Sequence, residues 1–367
     1  MAPELDPESA EPSVIFYDTS TLPTDAMLEA MRAARLGDDV YGEDPTVNAL
    51  EALTAEMLGK DASIFMPSGT MANLVAVMAH TRRGEEVVCD AEAHVINYEA
   101  GGMALVAGCM PLAITTQRGV LTAPDVEPRL RRLNEHYPRT ALILVENTHN
   151  RAGGTITVPE IMVGLRDLCD RRGLKLHVDG ARIFNAAVAL GVSAEKLARC
   201  ADSVSVCLSK GLSAPVGSML AGNREFIHEA RRIRKSLGGG MRQAGVLAAA
   251  GLVALESGLD QLARDNAMAR YLASELSTIP TIDVDVRAVE TNIVLIGIER
   301  SGLSADELVG RLRSKFGIRV SAQRPSSVRF VTHRHIGEKE VGIAVECLLS
   351  ILGERARHNE ESAGSRS

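Results

Sequence analysis

The sequence has no tryptophan, and only 3% of its 367 residues are aromatic. Basic residues are scattered rather than clustered, no basic–aromatic alternation occurs, and the net charge is −7. Nothing therefore marks a nucleic-acid surface. Six cysteines are present, but no CxxC pair occurs among them. That excludes the common zinc patterns and a disulfide framework, and leaves free, reduced thiols as the expectation. No apolar run approaches membrane-spanning length. The opening "MAPELDPESAEP" is acidic and proline-rich, the reverse of a signal peptide's basic-then-apolar order. Together these absences predict a soluble, cytoplasmic protein without repeats or low-complexity segments.

What is present is an enzyme-sized chain, 46% apolar and 24% charged. A helix is expected from about Thr24 to Arg35. A second follows over "TVNALEALTAEMLG", with Thr46 as cap and Gly59 as stop. Short apolar strands recur in "ASIFMP", "EEVVCD", "ALILVEN", "LKLHVDG" and "SVSVCLSK", with helical stretches between several of them. Strands alternating with helices predict an α/β domain with a mostly parallel sheet. After "LGGGMRQAG" a long Ala/Leu-rich helix is expected from Val246 to about Leu276. The strands "IDVDV", "NIVLIGI", "IRVSA" and "VRFVTH" then suggest a smaller α+β lobe. The resulting division is a disordered tail over 1–13, a large domain over 14–260, a small domain over 261–355 and a disordered tail over 356–367.

Ligands of open α/β sheets gather at the carboxyl ends of strands. Asp179 ends "LKLHVD", Arg182 follows in "DGAR", and Lys210 ends "SVSVCLSK". Upstream, "SGT" introduces a helix whose free N–H groups suit a phosphate. Each piece alone is ordinary: a helix cap, a turn aspartate, a snorkelling lysine. Together they match what pyridoxal 5'-phosphate requires: a phosphate grip, an acid at the ring nitrogen and an amine for a Schiff base.

The stretches "DDVYGEDPTVNALE", "PSGTMANLVA", "AEAHVINYEAGG", "LVENTHNRAGGT", "HVDGARIFNA", "LSKGLSAPVGS", "LGGGMRQAG" and "RFVTH" carry a resemblance. In that order, from about Val14 to the region of His335, the chain resembles the low-specificity L-threonine aldolases, fold-type-I enzymes of the aldolase/β-eliminating-lyase group. The resemblance implies a seven-stranded, mostly parallel sheet flanked by helices, and a homotetramer built from dimers with shared active sites. It implies cleavage of a β-hydroxy-α-amino acid, such as L-threonine, L-allo-threonine or a phenylserine-like compound, into glycine and an aldehyde.

By the same resemblance, Lys210 would carry the cofactor, its burial lowering the pKa of the amine. Asp179 would pair with the ring nitrogen. Gly69, Thr70 and Ser209 would contribute to the cofactor site, and Arg242 would reach a phosphate, that of a neighbouring subunit. Arg182 and Arg329 would clamp the substrate carboxylate with planar guanidinium groups. His94 would stack over the ring, His136 would lie near the substrate hydroxyl, and Tyr41 would line the site from across an interface. His94, His136 or a water held by them would act as general base. Other lyase, racemase or transaldolase chemistry through the same cofactor, or a catalytically idle homologue, remain the alternatives.

One segment departs from the family pattern. Where "RSDTVTxPT" is usual, this chain reads "FYDTSTLPT", so Phe16 and Tyr17 replace an arginine and a serine. Tyr17 would keep a hydroxyl at the substrate's amino-acid end but carry it outward on a bulky ring, altering substrate pose or side-chain preference.

Overall fold

In a computed structural model, residues 14–364 are described, with side-chain surroundings given through residue 353. The expected tail over residues 1–13 lies outside them. Two compact units form. One spans Thr21–Ala263; the other joins Arg264 onward with the described residues up to Ser20. The division lies between Ala263 and Arg264, where the sequence pattern places it between 260 and 261, and residues 14–20 group with the C-terminal unit.

The larger unit is built on seven strands: β1 (Ala62–Met66), β2 (Glu86–Asp90), β3 (Met110–Ile114), β4 (Thr140–Glu146), β5 (Lys175–Asp179), β6 (Ser203–Cys207) and β7 (Ser218–Gly222). Their order is β1-β7-β6-β5-β4-β2-β3. Only β7 runs against its neighbours, pairing antiparallel with β1 and β6. Central strands are buried along their whole length, as sheets covered on both faces require. The two strands that sequence patterning misses have clear reasons. β3 is an exposed edge strand containing Pro111, and β7, "SMLAG", has no β-branched residue.

In β6 the alternation Ser-Val-Ser-Val has a structural purpose. Val204 and Val206 join the main apolar core, while the buried hydroxyls of Ser203 and Ser205 take side-chain partners on the other face. Each fully buried valine contributes roughly 1.5–3 kcal/mol. The serines leave a polar seam inside an otherwise apolar layer.

Local helix signals hold with small shifts. Thr24 caps Asp25–Arg32, accepting from the Met27 amide. The next helix starts at Pro45 under an Asp44 cap rather than a Thr46 cap, because the carboxylate accepts from both Thr46 and Val47 amides. The long Ala/Leu stretch is two helices, Gly245–Ser257 and Leu259–Ser277, separated at Gly258. No single described helix is long and apolar enough to cross a membrane. All six cysteines are free.

The C-terminal unit holds an antiparallel three-stranded sheet in the order β8-β10-β9. Its strands are β8 (Ile293–Gly297), β9 (Ser321–Arg324) and β10 (Ser327–Val331). "IDVDV" is not a strand. Asp283 makes one isolated bridge to Gly297, and Asp285 instead caps a short 3₁₀ turn. The last helix runs Glu338–Gly364, well into the segment expected to be a tail. Glutamate, arginine and alanine in that stretch favour helix and no proline stops it.

Candidate active site

A cavity of about 290 Å³ opens at the carboxyl ends of β1, β5 and β6. Gly69, Thr70, His94, Asp179, Ser209 and Lys210 all line it. Six of the residues expected from the sequence are thus brought together, from segments 141 positions apart at the extremes (69 to 210).

The helix Gly69–His80 begins at the cavity. Ser68 caps it, its hydroxyl accepting from the Met71 amide. The first N–H groups of a helix have no partner inside it, so this end favours an anion. Gly69 is required by packing: a Cβ there would meet Cys207 Sγ at 2.7 Å. The backbone therefore approaches the end of β6 as only glycine allows.

Asp179 closes β5 and is buried. Its Oδ1 accepts from the Ala181 amide at 3.1 Å and its Oδ2 from Asn73 Nδ2 at 2.8 Å. Lys210 lies three residues beyond the end of β6, in the bend that follows the strand, and is half-buried rather than enclosed. The loop fixes its backbone: the Lys210 carbonyl accepts from the Ser213 amide and from Thr21 Oγ1, each at 2.8 Å. Ser213 takes a left-handed φ of 66° to make this turn.

His94 starts a short helix whose first amide donates to Glu146 Oε2 at 2.6 Å. Its Nδ1 lies 2.8 Å from Glu99 Oε1, a buried carboxylate that also lines the cavity. Burial works against a charged imidazole here, but the Glu99 hydrogen bond and the neighbouring Asp179 outweigh it, holding His94 above its ordinary range. Glu99 is itself raised, because burial and Asp179 together outweigh His94 and Asn73. One acceptor atom from each of His94, Glu99 and Asp179 falls within a 4.8 Å group. Asn73 Nδ2 already bridges the two carboxylates, and His94 Nδ1 is bonded to Glu99.

The remaining expected residues stand elsewhere. Arg182 is buried at the start of the helix Ile183–Leu190, one position beyond cavity-lining Ala181, with Nη1 3.5 Å from Asn150 Oδ1. Arg242 is exposed; its Nη1 donates to Asp38 Oδ2 at 2.8 Å, and its guanidinium lies 5.9 Å from the ring centre of Tyr41. Tyr41 is 73% exposed. His136 does not join the site within this chain. It is exposed and pairs only loosely with Glu135, at 3.7 Å. In the C-terminal unit, Tyr17 donates its hydroxyl to the Val320 carbonyl at 2.5 Å, and the Arg329 charge reaches it, opposing the upward push of burial on its pKa. Arg329 Nε donates to Ser321 Oγ at 3.2 Å. Phe16 is fully buried, edge-on to Phe330 at 5.1 Å, which accounts for an aromatic where an arginine was expected.

Asn73 and Glu99 were missed by sequence reasoning. The signal for Asn73 was a lone amide on the apolar helix "GTMANLVAVMAH". For Glu99 it was the acid five residues after His94.

This donor set suits pyridoxal 5'-phosphate. Lys210 faces the cavity, a buried carboxylate closes it, and a glycine cradle stands at a helix N-terminus. The family model for beta-eliminating lyases matches residues 16–299. Low-specificity L-threonine aldolase 1 of Arabidopsis thaliana is 44% identical over 90% of this chain and 93% of its own length. The low specificity L-threonine aldolase of Escherichia coli K12 is 42% identical over 88% of this chain and 94% of its own. Among solved structures, Leishmania major threonine aldolase superposes with a TM-score of 0.79 at 22% identity, covering 92% of this chain and 99% of that one.

Proposed function

Because this chain belongs to the beta-eliminating lyase family and, within it, to the low-specificity L-threonine aldolases, we propose that it cleaves L-threonine-type β-hydroxy-α-amino acids to glycine and an aldehyde with pyridoxal 5'-phosphate. The observation that carries this reading is the meeting of Lys210, Asp179, His94 and the Gly69 helix end in one cavity. When bound, the cofactor supplies an aldehyde that links to amines and a cationic ring that accepts electrons from the breaking Cα–Cβ bond.

The chain's own residues divide the remaining work. Gly69 and Thr70 hold the phosphate through the helix N-terminus, with Ser209 beside them. Asp179, kept in place by Ala181 and Asn73, holds the proton at the ring nitrogen. Lys210 gives the amine that anchors the cofactor. Arg182 receives the substrate carboxylate, where a guanidinium makes two parallel hydrogen bonds.

His94 is the general base. Its Nδ1 faces Glu99, so the proton rests there and Nε2 is left as the acceptor for the substrate hydroxyl. His136 is exposed, with only the exposed Glu135 beside it at 3.7 Å.

Exposed Tyr41 and Arg242, adjacent to each other, fit a role in a neighbouring subunit's site, and the assembly we assign is a homotetramer. Six free thiols fit a reducing, cytoplasmic setting. Supplied with pyridoxal 5'-phosphate and L-threonine, the purified protein should release glycine and acetaldehyde. Borohydride should fix the cofactor on Lys210. Cofactor bound elsewhere, or threonine consumed without glycine, would overturn the reading.

A further inference from the structure

Behind the cavity the polar seam of β6 continues into the protein. Asn73 sits on the buried face of the helix Gly69–His80, and His80 lies two turns further along that helix. Asn73 Nδ2 donates to Glu99 Oε1 and to Asp179 Oδ2, each at 2.8 Å. Its Oδ1 faces Ser205 Oγ at 2.7 Å and His177 Nε2 at 3.4 Å. His177 Nδ1 lies 2.8 Å from Ser203 Oγ, and Ser203 Oγ lies 2.7 Å from His80 Nε2.

We propose that Asn73 is a positioning residue that fixes the orientation of the Asp179 carboxyl group, its amide oriented by Ser205 and by a one-way donor chain from His80 through Ser203 and His177. The direction follows from counting protons. Two carboxylates take the NH₂ side of the amide, so Oδ1 must be the acceptor on the other side. Ser205 therefore donates at 2.7 Å, and His177 Nε2, at 3.4 Å, is assigned the same role. A neutral imidazole donating from Nε2 must accept at Nδ1, so Ser203 gives its hydroxyl proton to His177. Ser203 Oγ then accepts from His80 Nε2–H. Burial, the dominant influence on both rings, pushes His177 down to about 4, against Asp179 and a backbone hydrogen bond at Ser203, and His80 down to about 3, so each ring is neutral.

His80 stacks on Phe226, with centroids 4.5 Å apart and planes 15° apart, and lines a second cavity of about 460 Å³. The chain thus spans the layer between that cavity and the acid assigned to the cofactor ring. Its donors run from His80 to Asn73, whose amide N–H groups are shared between Asp179 and Glu99.

The inference rests on the cofactor reading for its purpose, but not for its first test. In cofactor-free protein with ¹⁵N-labelled histidine, long-range proton–nitrogen spectra should show His177 and His80 as Nε2–H tautomers. His80→Leu should blur the His177 preference, and His80→Gln, whose Nε2 amide can donate in place of the ring N–H, should restore it. In holoenzyme, Ser205→Ala and Asn73→Ala should each lower kcat about tenfold, with KM within about twofold, and shift the cofactor's visible absorption. An Nδ1–H tautomer at His177, or unchanged absorption in both variants, overturns the proposal. Failure to bind pyridoxal 5'-phosphate overturns the cofactor reading while the tautomer result stands separately.

Discussion

Glu99 and His94 form one proton-sharing pair, with Oε1 and Nδ1 2.8 Å apart, the acid buried and the imidazole half-open to the cavity. The first prediction comes from that asymmetry. Glu99 raises the His94 pKa against the effect of burial. A base must be neutral to act, so activity should fall as pH drops through that raised value. In Glu99→Gln, burial is left less opposed, His94 titrates lower, and the acid limb of the kcat profile should move to lower pH. Plateau kcat should drop by roughly tenfold or more, since a positioned base contributes about 10²–10⁴-fold and the tautomer is no longer held. An acid limb that stays in place means His94 is not the base.

Gly69 and Cys207 give a second prediction. An alanine at 69 brings its Cβ within 2.7 Å of Cys207 Sγ, a contact no real pair sustains. Either the helix end or the Cys207 side chain must shift, and overpacking of this kind costs about 1–3 kcal/mol. Gly69→Ala should weaken cofactor affinity by about tenfold, a change worth ~1.4 kcal/mol. Cys207→Ala in the same chain should recover most of it, because the clash has a single partner. Cofactor titration of the two single variants and the double variant checks this. Additive losses would assign the glycine another role.

How far these features were readable beforehand depends on their physics. Lys210, Asp179 and Gly69 sit beside strong local signals, the end of an apolar strand or the start of a helix, and the structure gathers them in one cavity. Asn73 and Glu99 lie in segments whose patterns say only "helix" and "turn". Their partners are 106 and 26 residues from Asn73, a separation that local pattern does not carry. β3 and β7 escaped because an edge strand and a small-residue strand lack the burial and branching that mark their neighbours. His136 was placed by motif alone, and no periodicity in its segment supplied a reason for it to turn inward.

The third prediction concerns stability. His149 is buried, with Nε2 3.0 Å from Asp90 Oδ1. Burial would lower His149, but Asp90 and Glu146 prevail and raise it. Burial would raise Asp90, but the bonds from His149 and Thr116 prevail and lower it. A histidine raised on folding stabilises fully below its unfolded pKa of about 6.5, and that stability is lost as pH climbs through the folded value. A depressed aspartate stabilises above about 3.9, and that contribution is lost as pH falls through its folded value. The pair therefore supports the fold best between those limits. Melting temperature should decline as pH rises from about 6.5 through the raised His149 value, and His149→Gln should flatten that decline while lowering stability by about 3–5 kcal/mol at pH 6. A decline of equal slope in the variant would place its origin in other groups.

Tyr17 supports the last prediction. Its hydroxyl is already committed, donating to the Val320 carbonyl at 2.5 Å within the C-terminal unit. A serine at this position is too short to span that contact, so its hydroxyl would be left for other partners. Tyr17→Phe should cost about 0.5–1.5 kcal/mol through the lost hydrogen bond and leave the ratio of kcat/KM for threonine and phenylserine unchanged, because the ring stays. Tyr17→Ser removes the ring as well and should move that ratio. The two variants separate hydroxyl from bulk: a ratio that moves in Tyr17→Phe makes the hydroxyl the determinant. A ratio constant in both removes Tyr17 from substrate selection and leaves it a support for the Val320 strand approach.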